Sequence, residues 1–534
     1  MPSTLPAQSN RRDPLRAAIQ SRAKFFWVIA LVYAAAVILA TLTLHPYFAQ
    51  TWDINTFIQA GHQFLNGNPL ALYAESRTAQ TWPYAYPPLH ALVTALSLFL
   101  GRLLPIFPEY VWARVPPILA DIGVAMLLHS IVCRKSNDEQ LARGAVILWL
   151  FNPITFYDTA VQGHFESEWL FFVLLAYLWL EEGRSIILSS IALAVAVLFK
   201  QVAIVFAIPF WLFVLTNKAS NLHPSASKQL ALSILAFASI IAVACLPFLL
   251  YSNDFLYMNL TYVENVPVQT QSWIVALLGL TRDAPTAMTS DFFLLRWQTL
   301  ATIAVAVLIS FWAMRHNWNL YLTATLIGVA FFLTSKKVMG YYYVMLFPFL
   351  LASLLPRKRF DLVLIALVAT TSISLSPYYA AWTNHAHWWV YAGLGIVNSA
   401  FFVWLGKKMT DDQRRRTEEK PSVLGPPSFV GFALFAAAVI AALLQPLIAG
   451  TTSPIRAPII ASGMEANAAI VFALLIVAIT ATLWLVRRVA FSDERVSRWS
   501  WLIVLLFAPL FFSVYTLTKE STAIFEIVLH ALGV

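Results

Sequence analysis

Residues 22–57 have the sequence RAKFFWVIALVYAAAVILATLTLHPYFAQTWDINTF. This stretch contains an apolar run from Phe25 to His45, which is long enough to cross a bilayer as a helix of about 20 residues. Basic residues precede the run, and one carboxylate, Asp53, follows it. Because Lys and Arg concentrate on the cytoplasmic side of membrane proteins, the stretch predicts a cytoplasmic N-terminus and places Asp53 on the outer side.

The whole chain is apolar, with 60% hydrophobic and 11% charged residues among 534. Soluble domains have roughly a quarter of their residues charged, so the composition predicts an all-α polytopic membrane protein surrounded by membrane lipids. The net charge of +9 comes from short basic clusters between apolar runs. That pattern is typical of cytoplasmic loops rather than of a nucleic-acid-binding face, and we expect no nucleic-acid partner.

The basic clusters also assign sides to the later apolar runs. Two such runs, Tyr86 to Leu104 and Val111 to Val132, come before a basic loop that contains Arg134 and Lys135. If both runs crossed, that loop would lie outside, so we predict that only the second crosses. The first run then forms a helix that lies along the outer leaflet.

Further along, the pattern predicts an outward span from Gly144 to Val161 and a return from Trp169 to Leu180. The run from Ile186 to Leu215 is too long for one helix, yet it must return to a basic cytoplasmic segment. It therefore predicts two short helices with Lys200 and Gln201 at their outer turn.

The predicted organisation has four parts and about 13 to 15 transmembrane helices. The parts are a cytoplasmic N-terminal tail at 1–24, a membrane module at 25–405 whose first outer loop spans 46–110 and contains juxtamembrane helices, a charged cytoplasmic linker at 406–427, and C-terminal transmembrane helices at 428–534.

This topology collects polar residues on the outer side, where ionisable groups in a membrane protein point to function. They are Asp53, Asp158, His164, Glu166, Glu168, Lys200, Gln201, Lys336 and Lys337. Structural alternatives exist for single members: Asp53 as a helix cap, Lys200 as a snorkelling side chain, and Arg114 with Asp121 as a polar pair on one helix face.

The order of several motifs resembles the GT-C superfamily of membrane glycosyltransferases, which use polyprenyl-phosphate sugars as donors. The motifs are TWDINTF, LNGNPLALY, WPYAYPPLHAL, WARVPPILADIG, FNPITFYDTAVQGHFES, LFKQVAIVFAIPF and SKKVMGYYYVMLFPFL. They are similar to those of the dolichyl-phosphate-glucose glucosyltransferases and of the GPI-type and bacterial polyprenyl-phosphate mannosyltransferases.

The resemblance implies a GT-C fold and transfer of mannose or glucose from a polyprenyl-phosphate donor to a lipid-linked or glycan acceptor. It implies an inverting, metal-independent reaction without a cofactor, on the extracytoplasmic face of the membrane. The predicted cytoplasmic N-terminus and the presence of only two cysteines fit a bacterial plasma membrane, with the endoplasmic reticulum as the alternative. The implied general base is Asp53. The implied donor-phosphate contacts are His164, Lys200, Gln201, Lys336 and Lys337, and the implied substrate contacts are Tyr86, Arg114, Glu166 and Tyr342.

Two features depart from this pattern. Asn55 stands where the mannosyltransferase branch has a second acid, and Ser335 to Lys337 lack the acid that the glucosyltransferase branch carries there. The motifs therefore do not select the sugar. A transporter or flippase of polyprenyl-linked sugars, which also needs outer cations and a lipid groove, is the alternative from another class, and a structural subunit of an envelope complex is a third.

Overall fold

The structure, a computed structural model, describes residues 13–48, 51–79, 81–216, 226–262, 273–274, 297–335, 338–374 and 388–417, and most of these residues are helical. Within these ranges the structure contains no strand, which confirms the all-α prediction for them. The α-helices are α1 Asp13–Phe48, α2 Thr51–Asn66, α3 Leu72–Ala79, α4 Pro88–Leu103, α5 Glu109–Trp112, α6 Val115–Ser136, α7 Glu139–Leu150, α8 Pro153–Tyr157, α9 Glu166–Glu181, α10 Ile186–Phe199, α11 Ile204–Thr216, α12 Ala226–Tyr251, α13 Asp254–Leu256, α14 Gln298–Arg315, α15 Leu320–Thr334, α16 Phe347–Leu354, α17 Phe360–Ser374 and α18 Trp388–Thr417.

Several helices have the length and composition of membrane spans. Within the described ranges, four are long and apolar enough to cross a bilayer: Ala23–Leu42, Glu109–Ser136, Ala226–Tyr251 and Gln298–Arg315. Large apolar side chains on α12, such as Leu235, Val243 and Leu250, are exposed. A helix that exposes this much apolar surface suits lipid rather than water. The chain is therefore a polytopic membrane protein.

Helix α1 begins inside the predicted N-terminal tail, at Asp13, and continues to Phe48. Its 36 residues give a length of about 54 Å, well beyond the roughly 30 Å thickness of the hydrocarbon core. The helix therefore extends past the predicted span at both ends.

Helix α4 packs on α2 through one face and leaves the other uncovered. Pro88 occupies its first turn, where a missing N–H costs nothing. The packed face includes His90 and Thr94, and the opposite face exposes Leu96 and Phe99. Sixteen residues correspond to about 24 Å, so the length of α4 agrees with a helix that lies along a membrane surface.

The segment predicted as one span from Gly144 to Val161 is broken. Helices α7 and α8, with the π-helical turn Asp158–Gln162 that follows, form a pair bent by 44°. The break lies at Asn152 and Pro153, because Pro153 has no N–H to continue α7 and the Asn152 side chain caps α8 by accepting from the Ile154 N–H.

The two short helices predicted from Ile186 to Leu215 are α10 and α11, which lie on either side of Lys200 and confirm that prediction. Helices α9 and α10 form an antiparallel hairpin. The turn between them contains Gly183 with a φ of 67°, a left-handed conformation that suits glycine. Lys200 ends α10 in an extended conformation, and a short 3₁₀ turn, Gln201–Ala203, leads into α11. The start of α9 and the end of α10 consequently lie side by side.

Helix α18 runs through position 406, where the sequence predicts the charged linker to begin. The segment from Lys407 to Thr417 lacks Gly and Pro, and Asp412 accepts a hydrogen bond from Arg359, the residue just before α17. Residues 418–534 lie outside the described ranges. The C-terminal spans and the total number of transmembrane helices therefore stay predictions.

Candidate active site

A cavity of about 580 Å³ lies where the ends of several helices meet. This volume falls within the roughly 300 to 1,000 Å³ range of small-molecule sites. Six residues predicted from the sequence line it: Asp53, Tyr86, Glu166, Lys200, Gln201 and Tyr342. The structure thus brings together side chains that are widely separated in the sequence.

Asp53 lies in the first turn of α2, where the helix dipole favours a negative charge. His164 Nε2 is 2.9 Å from Asp53 Oδ2. An ionised carboxylate can only accept, so His164 donates through Nε2. The His164 side chain is completely buried, whereas that of Asp53 is 25% exposed. Asp53 therefore presents its carboxylate to the cavity while His164 supports it from behind.

The backbone that precedes His164 requires glycine. Gly163 ends the π-helical turn with a φ of 68°, and a Cβ at this position would lie 2.9 Å from an Ile54 side-chain carbon and 3.0 Å from the Arg114 guanidinium carbon. The Arg114 guanidinium donates to the Tyr110 and Val161 carbonyls at 2.7 and 3.0 Å.

Arg114 therefore lies under the turn that delivers His164, and it does not line the cavity. It also does not pair with Asp121, which accepts from Tyr33 and Thr159 at 2.5 and 2.7 Å. The alternative of an Arg114–Asp121 pair is thus wrong. A direct substrate contact of Arg114 stays a prediction, and its observed contacts are those of a residue that positions the turn.

Lys200 and Glu166 form a buried ion pair in the cavity wall. The Lys200 Nζ donates to Glu166 Oε1, and Glu166 Oε2 accepts from Trp169 Nε1 at 2.6 Å. The α9–α10 hairpin explains the pair, since Glu166 begins α9 and Lys200 ends α10. Each charge also lies at the helix end whose dipole favours it.

Aromatic rings surround the Lys200 ammonium. Its Nζ lies 4.9 Å from the ring centre of Tyr342, 5.5 Å from those of Tyr86 and Phe165, and 5.9 Å from that of Tyr341. A cation within about 6 Å of an aromatic face is stabilised by the ring quadrupole. These rings hold the ammonium in place without neutralising its charge.

Tyr341 links the two polar pairs, because its ring also stacks on His164 with 3.9 Å between ring centres.

Tyr86 supplies a neutral hydroxyl nearby. Desolvation in the cavity wall, with the carboxylate of Asp53 as the next largest cause, raises the pKa of Tyr86 well above its ordinary value. Tyr86 is therefore suited to donate a hydrogen bond and not to act as a base.

A second carboxylate, that of Glu166, lines the cavity. It does not come from position 55, where the mannosyltransferase branch has its second acid. Asn55 is exposed and does not line the cavity. Asp158 is buried behind the wall, and its Oδ1 has no hydrogen-bond partner in the described part of the chain. Glu168, also predicted among the outer polar residues, pairs with His90 Nδ1 at 2.9 Å, away from the cavity lining.

His90 supports the aromatic rings around Lys200 from behind, a role that the sequence analysis did not assign to it. Its ring stacks on Phe165 with 3.7 Å between centres, and Phe165 in turn faces Lys200. The available signal was a histidine on the buried face of α4, one turn before Thr94.

Other lining residues were missed as well. Asn259 and Tyr262 come from the segment after α12, and Gln298, Thr299 and Thr302 come from the first turns of α14. The spacing of Gln298 and Thr302, four residues apart, indicates one polar helix face at the start of an otherwise apolar span. Much of the remaining wall is apolar and includes Leu260, Ile303, Phe331 and Met345.

Lys336 and Lys337 lie outside the described residues, so their predicted phosphate contacts stay predictions. Their neighbours Ser335 and Met339 both line the cavity. In the described part of the chain, no group of three or more His, Cys, Asp or Glu side chains is placed to hold a metal ion. The metal-independent reaction is likewise a prediction.

Among solved structures, the chain is similar to ArnT from Cupriavidus metallidurans, in a crystal structure bound to undecaprenyl phosphate. The identity is 16%, the match covers 80% of this chain and 81% of that one, and the TM-score is 0.40. No family model and no curated protein matches the chain. The function therefore has to be inferred from the cavity and the motifs.

Proposed function

We propose that the protein is a GT-C-type membrane glycosyltransferase. It transfers mannose or glucose from a polyprenyl-phosphate donor to a lipid-linked or glycan acceptor at the outer face of the membrane. The observation that carries this proposal is the enclosure, in one cavity, of a carboxylate held by a buried histidine and of a Lys–Glu pair surrounded by aromatic rings. The first suits a general base, and the second offers a cation for a phosphate.

Asp53 is the proposed base. In a single displacement it takes the proton of the acceptor hydroxyl, whose oxygen then forms a bond to the anomeric carbon of the sugar. The bond from that carbon to the phosphate oxygen breaks, so the reaction inverts the anomeric centre. General-base help of this kind contributes about 10²- to 10⁴-fold to a rate. His164 fixes the carboxylate through the 2.9 Å contact.

Lys200 is the proposed phosphate contact. The leaving group changes from a phosphodiester to a monoester, so it gains negative charge as the bond breaks. A buried ammonium beside that charge is worth more than the same contact in water. Glu166 pairs with Lys200, so the donor phosphate has to compete with Glu166. Lys336 and Lys337, next to Ser335 in the sequence, are the proposed additional cations.

The outer location of the cavity is supported by the direction of α9. Its first residue, Glu166, faces the cavity, whereas its last residue, Glu181, pairs with Arg134 and Lys135 of the predicted cytoplasmic loop. The two ends of this helix are separated by about 24 Å. The cavity and the basic cluster therefore lie on opposite sides of the protein.

A flippase of polyprenyl-linked sugars is the second candidate, and the broken helices favour it. Substrate sites of transporters are built from discontinuous helices, and the described chain contains two such breaks, one at Asn152 and Pro153 and one at Lys200. A flippase uses the lipid groove and the cation but needs no base.

The test uses purified protein in liposomes with radiolabelled polyprenyl-phosphate-mannose or polyprenyl-phosphate-glucose, and a membrane extract as the source of acceptors. The proposal predicts that label leaves the polyprenyl phosphate and appears in a larger glycan or glycolipid. Label that stays on the polyprenyl phosphate but changes leaflet supports the flippase. An absence of both results contradicts both functions.

A further inference from the structure

The Gln201 side chain is tethered through its amide nitrogen. Gln201 Nε2 donates to the Ala85 carbonyl at 2.8 Å and to Asn259 Oδ1 at 3.1 Å, and it lies 3.4 Å from the Asn259 carbonyl. Asn259 is itself fixed, because its Nδ2 donates to the Phe255 carbonyl at 3.0 Å. Two separate segments thus hold the amide group of Gln201 in the cavity wall.

The orientation of this amide follows from its neighbours. Backbone carbonyls only accept hydrogen bonds, so the atom of Gln201 that faces Ala85 and Asn259 must be the nitrogen. An amide NH₂ group has two hydrogens, and both are used by these oxygens. The remaining polar atom, Gln201 Oε1, only accepts, and it has no hydrogen-bond partner within the described ranges. Since Gln201 lines the cavity, Oε1 is left for a group that enters it.

Gln201 Oε1 is not suited to contact a phosphate group. Phosphate oxygens also accept hydrogen bonds, so the sequence-based prediction that Gln201 binds the donor phosphate conflicts with the use of both N–H groups. A hydroxyl group is the natural partner, because it donates. Lys200, the proposed phosphate contact, directly precedes Gln201. In the donor the sugar is joined directly to the phosphate, so a phosphate at Lys200 brings the sugar hydroxyls close to Gln201.

We propose that Gln201 Oε1 accepts a hydrogen bond from a hydroxyl of the transferred sugar and thereby selects the donor. This inference rests on the proposed glycosyltransferase activity. A donor that lacks the hydroxyl leaves a fixed acceptor without a partner, and desolvation of such an acceptor costs roughly a tenfold or larger loss in kcat/KM.

The test compares natural donors with donors that lack one hydroxyl at a time, the 2-, 3-, 4- and 6-deoxy forms of polyprenyl-phosphate-mannose and polyprenyl-phosphate-glucose. The wild-type protein is expected to lose roughly tenfold or more in kcat/KM with one deoxy donor. In Gln201→Met the ratio of kcat/KM between the natural and the deoxy donor is expected to fall to about one, because the variant offers neither donor a hydrogen-bond acceptor at this position. Gln63→Met is the matched control, since Gln63 Nε2 also donates to a backbone carbonyl, that of Asn68 at 2.9 Å, away from the cavity; it keeps the preference.

The ratio of kcat/KM between two donors does not depend on how much active protein each preparation contains. If Gln201→Met does not fold, Asn259→Ala, which removes one tether, is expected to give an intermediate preference. Transfer by the wild type without preference among deoxy donors overturns the inference, as does an unchanged preference in Gln201→Met or, in its place, Asn259→Ala. Failure of the wild type to use any natural donor instead contradicts the glycosyltransferase activity, and this inference with it.

Discussion

Asp53 and His164 are separated by 111 positions in the sequence, yet His164 Nε2 lies 2.9 Å from Asp53 Oδ2. This contact joins the start of α2 to the turn before α9. Because His164 donates to one carboxylate oxygen from a buried position, it orients the group without competing for the cavity. The relationship changes the role expected for His164, from a phosphate contact to a partner of the proposed base.

Replacement of His164 by Phe is expected to lower kcat for sugar transfer about 10- to 100-fold with little change in the donor KM. Phe keeps the ring contacts with Tyr341 and Phe57 but removes the donor, and a hydrogen bond to a charged group is worth about 1.5 to 3 kcal/mol. Steady-state kinetics check this. A raised donor KM with an unchanged kcat would instead show that His164 contacts the phosphate.

Separate removal of either member of the Lys200–Glu166 pair is expected to destabilise the protein. Lys200→Met or Glu166→Gln leaves a buried charge without its partner, which costs about 3 to 5 kcal/mol, and the double variant recovers part of that loss. Denaturation in detergent micelles measures the difference. A double variant as unstable as the sum of the single variants would mean that the pair does not act as a unit.

Lys135→Met is the matched control for the Lys200 variant. Lys135 Nζ is 2.9 Å from Glu181 and 4.0 Å from the ring centre of Tyr321, so it repeats the Lys–Glu and cation–π arrangement at the other end of α9. We expect Lys135→Met to retain sugar transfer, whereas Lys200→Met loses it.

Gly163→Ala is expected to lower both stability and transfer. A left-handed φ costs a non-glycine residue about 1 to 2 kcal/mol, and the new Cβ would also meet Ile54 and Arg114 at 2.9 and 3.0 Å. Gly183 has a similar φ of 67°, but a Cβ added there would have no neighbouring atom within 4 Å, so Gly183→Ala isolates the cost of the backbone. Equal losses in the two variants would contradict a role for the Gly163 contacts.

The Arg77–Asp254 pair gives a pH dependence outside the cavity. The Ser252 hydroxyl and the Arg77 guanidinium, 2.5 Å away, lower the pKa of Asp254. A lowered pKa in the folded state stabilises the protein above the unfolded pKa, near 3.9, and this contribution is lost as the pH falls through the folded value. We expect Asp254→Asn to cost less than about 1 kcal/mol at pH 7, as for exposed pairs, and nothing at a pH below the folded pKa. A difference that persists there would contradict this assignment.

The sequence predicts the members of the site better than their pairing. Counts of basic residues place Asp53, His164, Glu166 and Lys200 on one side, and the long apolar run predicts the break at Lys200. These features depend on charge and on length, which are local properties.

The pairing depends on how helices rotate and on where they break, which no local pattern specifies. The bend at Pro153 and the π-helical turn before Gly163 deliver His164 to Asp53 and bury Arg114 beneath the turn. Similarly, Gln201 becomes an acceptor only because Ala85 and Asn259, from distant segments, occupy its nitrogen.

The most direct test of the proposed mechanism is the rate of sugar transfer from radiolabelled polyprenyl-phosphate-mannose or polyprenyl-phosphate-glucose by Asp53→Asn, with Asp254→Asn as the matched substitution outside the cavity. Asn keeps the shape of the side chain but cannot take a proton. We predict a rate at least about 100-fold lower for Asp53→Asn and a rate near that of the wild type for Asp254→Asn. Wild-type turnover by Asp53→Asn would contradict the assignment of Asp53 as the general base.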